Sequence, residues 1–201
     1  MLKLYGISTS RAFRPIWLLE EIGLEYEHIP VDFRGDDLEK PEYLKLNPNG
    51  RVPTLVDDDL VLFESMAINL YLAKKYGGKL YPSTEVDEGR ALQWSFWVMT
   101  EIEYSLLTVL MNKRVLPEDK RDPECVNRNE KRLQKPLHVL NGALAGKDYL
   151  LDGEFTVVDL NVSAVLSWCR PARFKLDTWP EVKRWLDNCL SRPSFKSALR
   201  K

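Results

Sequence analysis

Residues 51–65 read RVPTLVDDDLVLFES, and their pattern decides the fold. Val52-Pro53 stands where the chain should enter a strand, yet proline cannot donate to a central ladder. An edge strand or a cis proline in a tight turn resolves that conflict. A cis bond would leave the amide and carbonyl of Val52 open to an extended peptide. The acidic run Asp57-Asp58-Asp59 reads as a turn, so residues 54–63 are predicted as a hairpin. Glu64-Ser65 then leads into Ala67, Ile68, Leu70, Tyr71 and Leu72, which predicts a helix over 65–76. The start of that helix offers unpaired N–H groups and a positive dipole end to a carboxylate. One face here suits a short peptide carrying a free carboxylate and a free amine.

Working outward, the first eighty residues alternate strand and helix signals. Residues 2–5 form a short strand pattern. Phe13, Trp17, Leu18 and Ile22 make a helical stripe that Gly23 closes. Residues 26–32 alternate like a strand, and 39–46 read as a short helix. The order βαβ, helix, ββα predicts a mixed sheet of the thioredoxin type.

After Gly77-Gly78 the strand signals stop. Residues 87–111 form a long helical run with Trp94, Phe96, Trp97 and Leu106. Residues 124–144 read helical, with Pro136 set to break or kink them. Residues 157–168 are apolar on most faces and predict a central buried helix. Another helix spans 180–190 and stops at Arg192-Pro193. The fold class is therefore α/β followed by all-α: a domain over 1–78, a linker over 79–86, and a helical bundle over 87–201.

At 201 residues with 44% apolar and 29% charged residues, the composition is that of an ordinary globular protein. A net charge of −1 gives no reason to expect nucleic acid or an acidic membrane surface as a partner. No run approaches the length of a membrane span, and the opening MLKLYG lacks a signal-peptide pattern, so a cytoplasmic location is expected. Three widely spaced cysteines, Cys125, Cys169 and Cys189, make a poor disulfide framework. They lack zinc-ligand spacing and there are two histidines, His28 and His138, so no metal site is expected.

Five segments in order resemble the cytosolic glutathione S-transferases, in their serine-type, bacterial-like form. They are YGISTSRAFRPIWLLEEIGLEYE at 5–27, NPNGRVPTL at 47–55, FESMAI at 63–68, FTVVDL at 155–160 and WPEVKRWLDNCLSRPSFKSAL at 179–199. The resemblance implies a thioredoxin-like glutathione-binding domain and a helical domain that contributes an electrophile pocket. Glutathione would enter as co-substrate, with no permanently bound cofactor, and the protein would be a homodimer. Val52, beside Pro53, would pair with the cysteinyl backbone of glutathione. Glu64 would meet its γ-glutamyl amine, Ser65 the adjoining carboxylate, and Arg51 the glycyl end. Met66 stands where many relatives have arginine, and Gly50 where some have histidine.

Ser10 is the catalytic candidate. Pro15 is tolerated only in a first helical turn, which sets the helix start near residues 11–13. An anion at Ser10 would sit at the positive end of that helix. The resemblance adds that serine-type members place a catalytic serine four residues before the first helix's arginine, the spacing of Ser10 and Arg14. The local sequence by itself favours a plain N-cap, and it is the set of family motifs that turns the reading to catalysis, with an assisting role for Ser8 or Tyr5 left open. A thiol of pKa about 8.5 is only a few per cent thiolate at neutral pH. Lowering that value by roughly two units needs about 2.7 kcal/mol in favour of the anion. One hydroxyl donor and a helix N-terminus supply that order of magnitude. No cysteine precedes Cys125, so disulfide exchange by the protein's own sulfur at this loop is not expected.

Thr156 and Asp159 form a T-x-x-D capping box, a structural rather than a ligand-binding pair. Trp94, Trp97, Glu101 and Tyr104 can share one helix face. Trp97, Glu101 and Tyr104 are the candidates for an electrophile pocket between the domains, although such a stripe also fits a core. The expected activity is conjugation of glutathione to small apolar electrophiles. Dehalogenation, isomerisation or peroxide reduction at the same site, or a non-catalytic interaction module, are the alternatives.

Overall fold

The computed structural model describes residues 1–151 and 153–201. The chain divides into two compact units. The first comprises Met1–Tyr81 with Ser191–Lys201, and the second Pro82–Leu190.

The first unit is built on a four-stranded mixed sheet, with β2 (Glu27–Ile29), β1 (Leu2–Tyr5), β3 (Thr54–Asp57) and β4 (Leu60–Phe63) side by side in that order. Strand β1 (Leu2–Tyr5) buries Leu2 and Leu4, as its alternation requires. It pairs in parallel with β2 (Glu27–Ile29) and antiparallel with β3 (Thr54–Asp57). The hairpin partner of β3 is the edge strand β4 (Leu60–Phe63), with Asp58 in the turn at φ 52°. Strand β2 is shorter than the expected 26–32.

Helix α1 (Phe13–Ile22) connects β1 to β2. Ile16, Trp17, Leu18 and Leu19 are fully buried in it. It ends in a Schellman motif: Gly23 is left-handed at φ 72°, and the Leu24 N–H reaches back to the Leu19 carbonyl at 3.2 Å. The helix expected over 39–46 is a 3-10 turn at Asp36–Glu39 followed by the short α2 (Pro41–Leu44). Lys40 separates the two, because a residue before proline is pushed out of helical geometry. Helix α3 (Ser65–Tyr76) falls where it was expected and packs against α1.

The second unit is helical. Its first element is α4 (Glu85–Trp97), capped by the Thr84 hydroxyl on the Asp87 N–H at 3.1 Å. It runs through a π-helical stretch at Val98–Glu103 into α5 (Tyr104–Leu110). A second π-helical stretch covers Met111–Val115. Helix α6 (Pro123–Ala143) is assigned as one helix through Pro136, whose ring is buried. Of the expected break or kink, a break does not occur: proline removes one backbone bond, and buried Leu133, Leu137 and Leu140 flank it on both sides. Helix α7 (Val157–Leu166) is buried along its whole length, as its apolar composition demands. Its cap holds the unit together. Asp159 accepts from the Thr156 N–H at 3.1 Å, the Leu150 N–H at 2.9 Å and Trp185 Nε1–H at 2.9 Å. Trp185 lies on α9 (Pro180–Ser191), which follows the short α8 (Cys169–Ala172).

The expected second domain over 87–201 needs one correction. Helix α10 (Pro193–Ala198) packs on α1 and belongs to the first unit. The reason is aromatic and polar together. Phe195 meets Phe13 and Trp17 edge-on, with ring centroids 5.4 and 5.0 Å apart. Trp17 Nε1–H donates to Ser194 Oγ at 3.0 Å, and Arg192 pairs with Glu21.

Candidate active site

Strand β1 ends at Tyr5, and Gly6 turns the chain toward α1. Gly6 has φ 128°, a conformation side chains rarely adopt. A Cβ there would lie 2.5 Å from the Ala12 Cβ and 3.1 Å from the Val52 Cβ. The backbone at Gly6 is thus pressed between the Ser10 loop and the Val52 segment.

Ser10 is half-buried at the head of α1. Its N–H donates to the Ile7 carbonyl at 3.0 Å, and its Oγ–H to the same carbonyl at 2.7 Å. Its Oγ accepts from the Ala12 N–H at 3.1 Å. That bond lies in the turn ahead of α1, whose N-cap is Ala12 and which no side chain caps. It does not exhaust the hydroxyl, whose proton is free to reach another acceptor by rotation about one bond. Pro15 lies in the first turn of α1, as its ring requires.

The Val52-Pro53 peptide is cis. Pro53 is buried and Val52 half-buried. Among the described residues the main-chain N–H and C=O of Val52 meet no hydrogen-bond partner. The carbonyl before it is clamped. Arg51 O accepts from Tyr43 Oη–H and from Asn47 Nδ2–H, both at 2.7 Å. Asn47 Nδ2 also reaches Thr54 Oγ1 at 3.2 Å, and Tyr43 Oη lies 2.9 Å from that hydroxyl. Burial pushes the Tyr43 phenol above its usual range against the pull of Thr54 and Asn47, so it stays a donor. The Arg51 side chain itself is exposed.

Glu64 and Ser65 open α3. Glu64 is exposed and has φ 73°, unusual for a residue with a side chain, and its carbonyl accepts the Ile68 N–H at 2.9 Å. Ser65 is buried, and its Oγ accepts from Arg14 Nη1–H at 3.0 Å. Arg14, the second residue of α1, is itself 1% exposed. One guanidinium thus stands at the N-terminal ends of two helices, each carrying partial positive charge. An anion is favoured at this end of the unit, and a main-chain edge at Val52 stands ready for an extended ligand.

Tyr5 sits within β1, as its place in the sequence implies, with its ring edge-on to Tyr43. Trp97, Glu101 and Tyr104 lie in the second unit. Trp97 is half-buried and packs edge-on against Trp94 at 4.9 Å, while Glu101 and Tyr104 are exposed. The stretch between them is π-helical, a geometry that widens the turn and shifts side chains along the face.

Sequence reading did not single out Tyr43, Asn47 or Thr54. Asn47 and Thr54 stand in the NPNGRVPTL block, so a signal existed for those two. Tyr43 sits eight residues before the carbonyl it holds, and no local pattern marks it. Among the described residues no group of three or more His, Cys, Asp or Glu side chains is placed to hold a metal ion.

Comparison with known proteins gives this geometry a context. The family model of the glutathione S-transferase N-terminal domain matches residues 1–74, and that of the C-terminal domain residues 98–193. Glutathione S-transferase 3 of Zea mays is 36% identical, across 98% of this chain and 93% of its own. The disulfide-bond oxidoreductase YfcG of Escherichia coli K12 is 33% identical, across 100% and 95%. Among solved structures, the theta class glutathione S-transferase of Xanthomonas axonopodis pv. citri, with glutathione bound, superposes with a TM-score of 0.91. It is 27% identical, and the match covers 100% of this chain and 97% of that one. A thioredoxin-like sheet, a helical second domain and two matching family models along one chain leave one conclusion: the protein belongs to the glutathione S-transferase family.

Proposed function

We propose that the protein is a glutathione transferase in which Ser10 stabilises the thiolate of bound glutathione. The observation that carries this reading is the arrangement around Arg14. Ser10 stands in the turn before α1, Ser65 starts α3, and the Arg14 guanidinium joins the two helix starts at 3.0 Å from Ser65 Oγ. In the proposal, Glu64 and Ser65 hold the γ-glutamyl group, and Val52 pairs through its main chain with the cysteinyl residue. Arg51 faces the glycyl carboxylate. The Ser10 hydroxyl turns from the Ile7 carbonyl to the sulfur. The thiolate then attacks a small apolar electrophile: a carbon–sulfur bond forms, and the leaving group departs with its electron pair. Trp97, Glu101 and Tyr104 are proposed to line the electrophile pocket.

The decisive test is the ultraviolet absorbance of the bound thiolate against pH, for wild type and Ser10→Ala. A thiol pKa lowered by roughly two units in wild type, returning toward about 8.5 in the variant, supports the reading. A lowered value that the substitution leaves unmoved removes Ser10 from the mechanism.

A second reading is favoured by the 33% identity to the Escherichia coli disulfide-bond oxidoreductase. In it, the glutathione thiolate attacks a disulfide and expels one thiolate. A second glutathione then resolves the mixed disulfide, giving oxidised glutathione and a second thiol. No protein cysteine is needed. Cys169 and Cys189 are buried, and burial raises the Cys169 thiol to about 12. Turnover of a small disulfide at the expense of glutathione, compared with turnover of an aryl halide, separates the two readings.

The proposed assembly is a cytoplasmic two-fold dimer. Support comes from the edge strand β4, which leaves Leu60, Val61 and Phe63 exposed, and from Leu92 and Phe96 exposed on α4. Sedimentation that shows a monomer at micromolar concentration removes this part.

A further inference from the structure

His28 lies on β2, opposite Leu4 in the parallel ladder, and is half-buried. Its Nε2 is 2.7 Å from the Gly6 carbonyl oxygen. A carbonyl only accepts, so the imidazole carries its proton on Nε2. The Gly6 N–H is held as well, by the Ile29 carbonyl at 3.0 Å. Both polar groups of Gly6 are therefore fixed from β2. Three observations make that position consequential. Gly6 occupies φ 128°, where only glycine is at ease. Its backbone touches the neighbourhood of both Ala12 and Val52, since a Cβ would lie 2.5 and 3.1 Å from their Cβ atoms. The peptide that His28 grips leads directly into Ile7, whose carbonyl holds both the N–H and the hydroxyl of Ser10.

We infer that His28 is a positioning residue for the glutathione thiolate: by donating to the Gly6 carbonyl it sets the plane of the Gly6–Ile7 peptide, and through it the placement of Ser10. His28 touches neither substrate nor sulfur. The inference rests on the proposed role of Ser10, and its test keeps the two apart.

The experiment compares His28→Gln, His28→Asn, His28→Leu and Ser10→Ala in the full chain. The readouts are the pKa of the bound glutathione thiol, and kcat and KM with an aryl halide. A glutamine amide reaches the place of Nε2 and an asparagine amide does not. The expected result is a raised thiol pKa and a kcat lowered about three- to tenfold in the Leu and Asn variants, the size of one hydrogen bond. KM for glutathione moves less than kcat, and the Gln variant recovers to within about twofold of wild type. Should Ser10→Ala raise the thiol pKa while Leu and Asn leave it at the wild-type value, His28 is no positioning residue and the Ser10 reading stands. Equal losses in Gln, Asn and Leu reduce His28 to a packing residue and overturn the inference. A thiol pKa unmoved by Ser10→Ala overturns both. Should the Leu variant fail to fold, the Gln and Asn pair still decides. A long-range nitrogen–proton spectrum of the wild-type imidazole adds an independent check: an Nε2–H tautomer is expected, and an Nδ1–H tautomer rules the contact out.

Discussion

Arg14 Nη1 donates to Ser65 Oγ at 3.0 Å, with both side chains buried. Fifty-one residues separate them in sequence, yet together they tie the start of α1 to the start of α3. Ser65→Ala leaves a buried charged donor short of one acceptor, which costs about 1–3 kcal/mol of stability. Because Ser65 also begins the proposed γ-glutamyl site, glutathione binding should weaken by about tenfold or more in the same variant. Urea denaturation and calorimetric titration with glutathione measure the two losses separately. A variant that loses stability but binds glutathione normally would remove Ser65 from the binding site.

Asp57 closes β3 and is bound from α3 by Tyr71 at 2.7 Å, Lys75 at 2.7 Å and Tyr76 at 2.9 Å. Burial would raise its carboxyl, but the hydrogen bonds of Lys75, Tyr71 and Tyr76 outweigh that and hold it below the usual range. Its contribution is thus present above the unfolded value of about 3.9 and lost as pH falls through the lower folded value. Lys75 is raised, chiefly by its hydrogen bond to Asp57. That contribution is complete below about 10.4 and fades as pH climbs toward the higher folded value. Asp57→Asn should therefore flatten both the acid and the alkaline limbs of a plot of melting temperature against pH. An acid limb as steep as that of wild type would contradict this account.

Asp159 holds three buried N–H donors at 2.9–3.1 Å, from Leu150, Thr156 and Trp185. Burial pushes its carboxyl up, and these donors pull it back without cancelling the shift. Asp159→Ala strands all three donors and should cost about 3–5 kcal/mol in urea denaturation. Thr156→Ala removes only part of the cap and should cost about 1 kcal/mol. Glutathione affinity of the folded Thr156→Ala protein should match wild type. A stable Asp159→Ala protein would show that the cap is dispensable.

Phe195 fastens α10 to Phe13 and Trp17 of α1. Phe195→Ala should destabilise by about 3–5 kcal/mol. The first unit should feel it first: amide exchange ought to accelerate in α1 and α10 before α7. Faster exchange confined to α7 and α9 would mean that α10 is energetically part of the second unit.

Much of this was legible along the chain, for identifiable reasons. Pro15 and Gly23 bracket α1 because each tolerates only one end of a helix. The hairpin at Thr54–Phe63 and the helix Ser65–Tyr76 follow from alternation and a 3.6-residue period, which are short-range signals. The Thr156–Asp159 box announces α7 three residues at a time. Less legible were the ends of β2, the split near Pro41, and the π-helical stretches at Val98–Glu103 and Met111–Val115. The split near Pro41 is local, since a residue before proline leaves helical geometry, while the others depend on packing against neighbours.

The sequence by itself determined the order of elements, the two-part architecture, the family resemblance and the nomination of Ser10, Val52, Glu64 and Ser65. The elements and the architecture rest on spacing and on residue chemistry that acts within a turn or two, and the site nominations rest chiefly on the resemblance. Tertiary structure alone decided that Arg14 would bridge to Ser65, that Tyr43 and Asn47 would clamp the carbonyl of Arg51, and that His28 would grip Gly6. It also decided that α10 would join the first unit. These are contacts between buried polar groups or aromatic faces brought together by the sheet and its helices. A donor's need for an acceptor is written in the sequence; which acceptor meets it is settled only when the chain has folded.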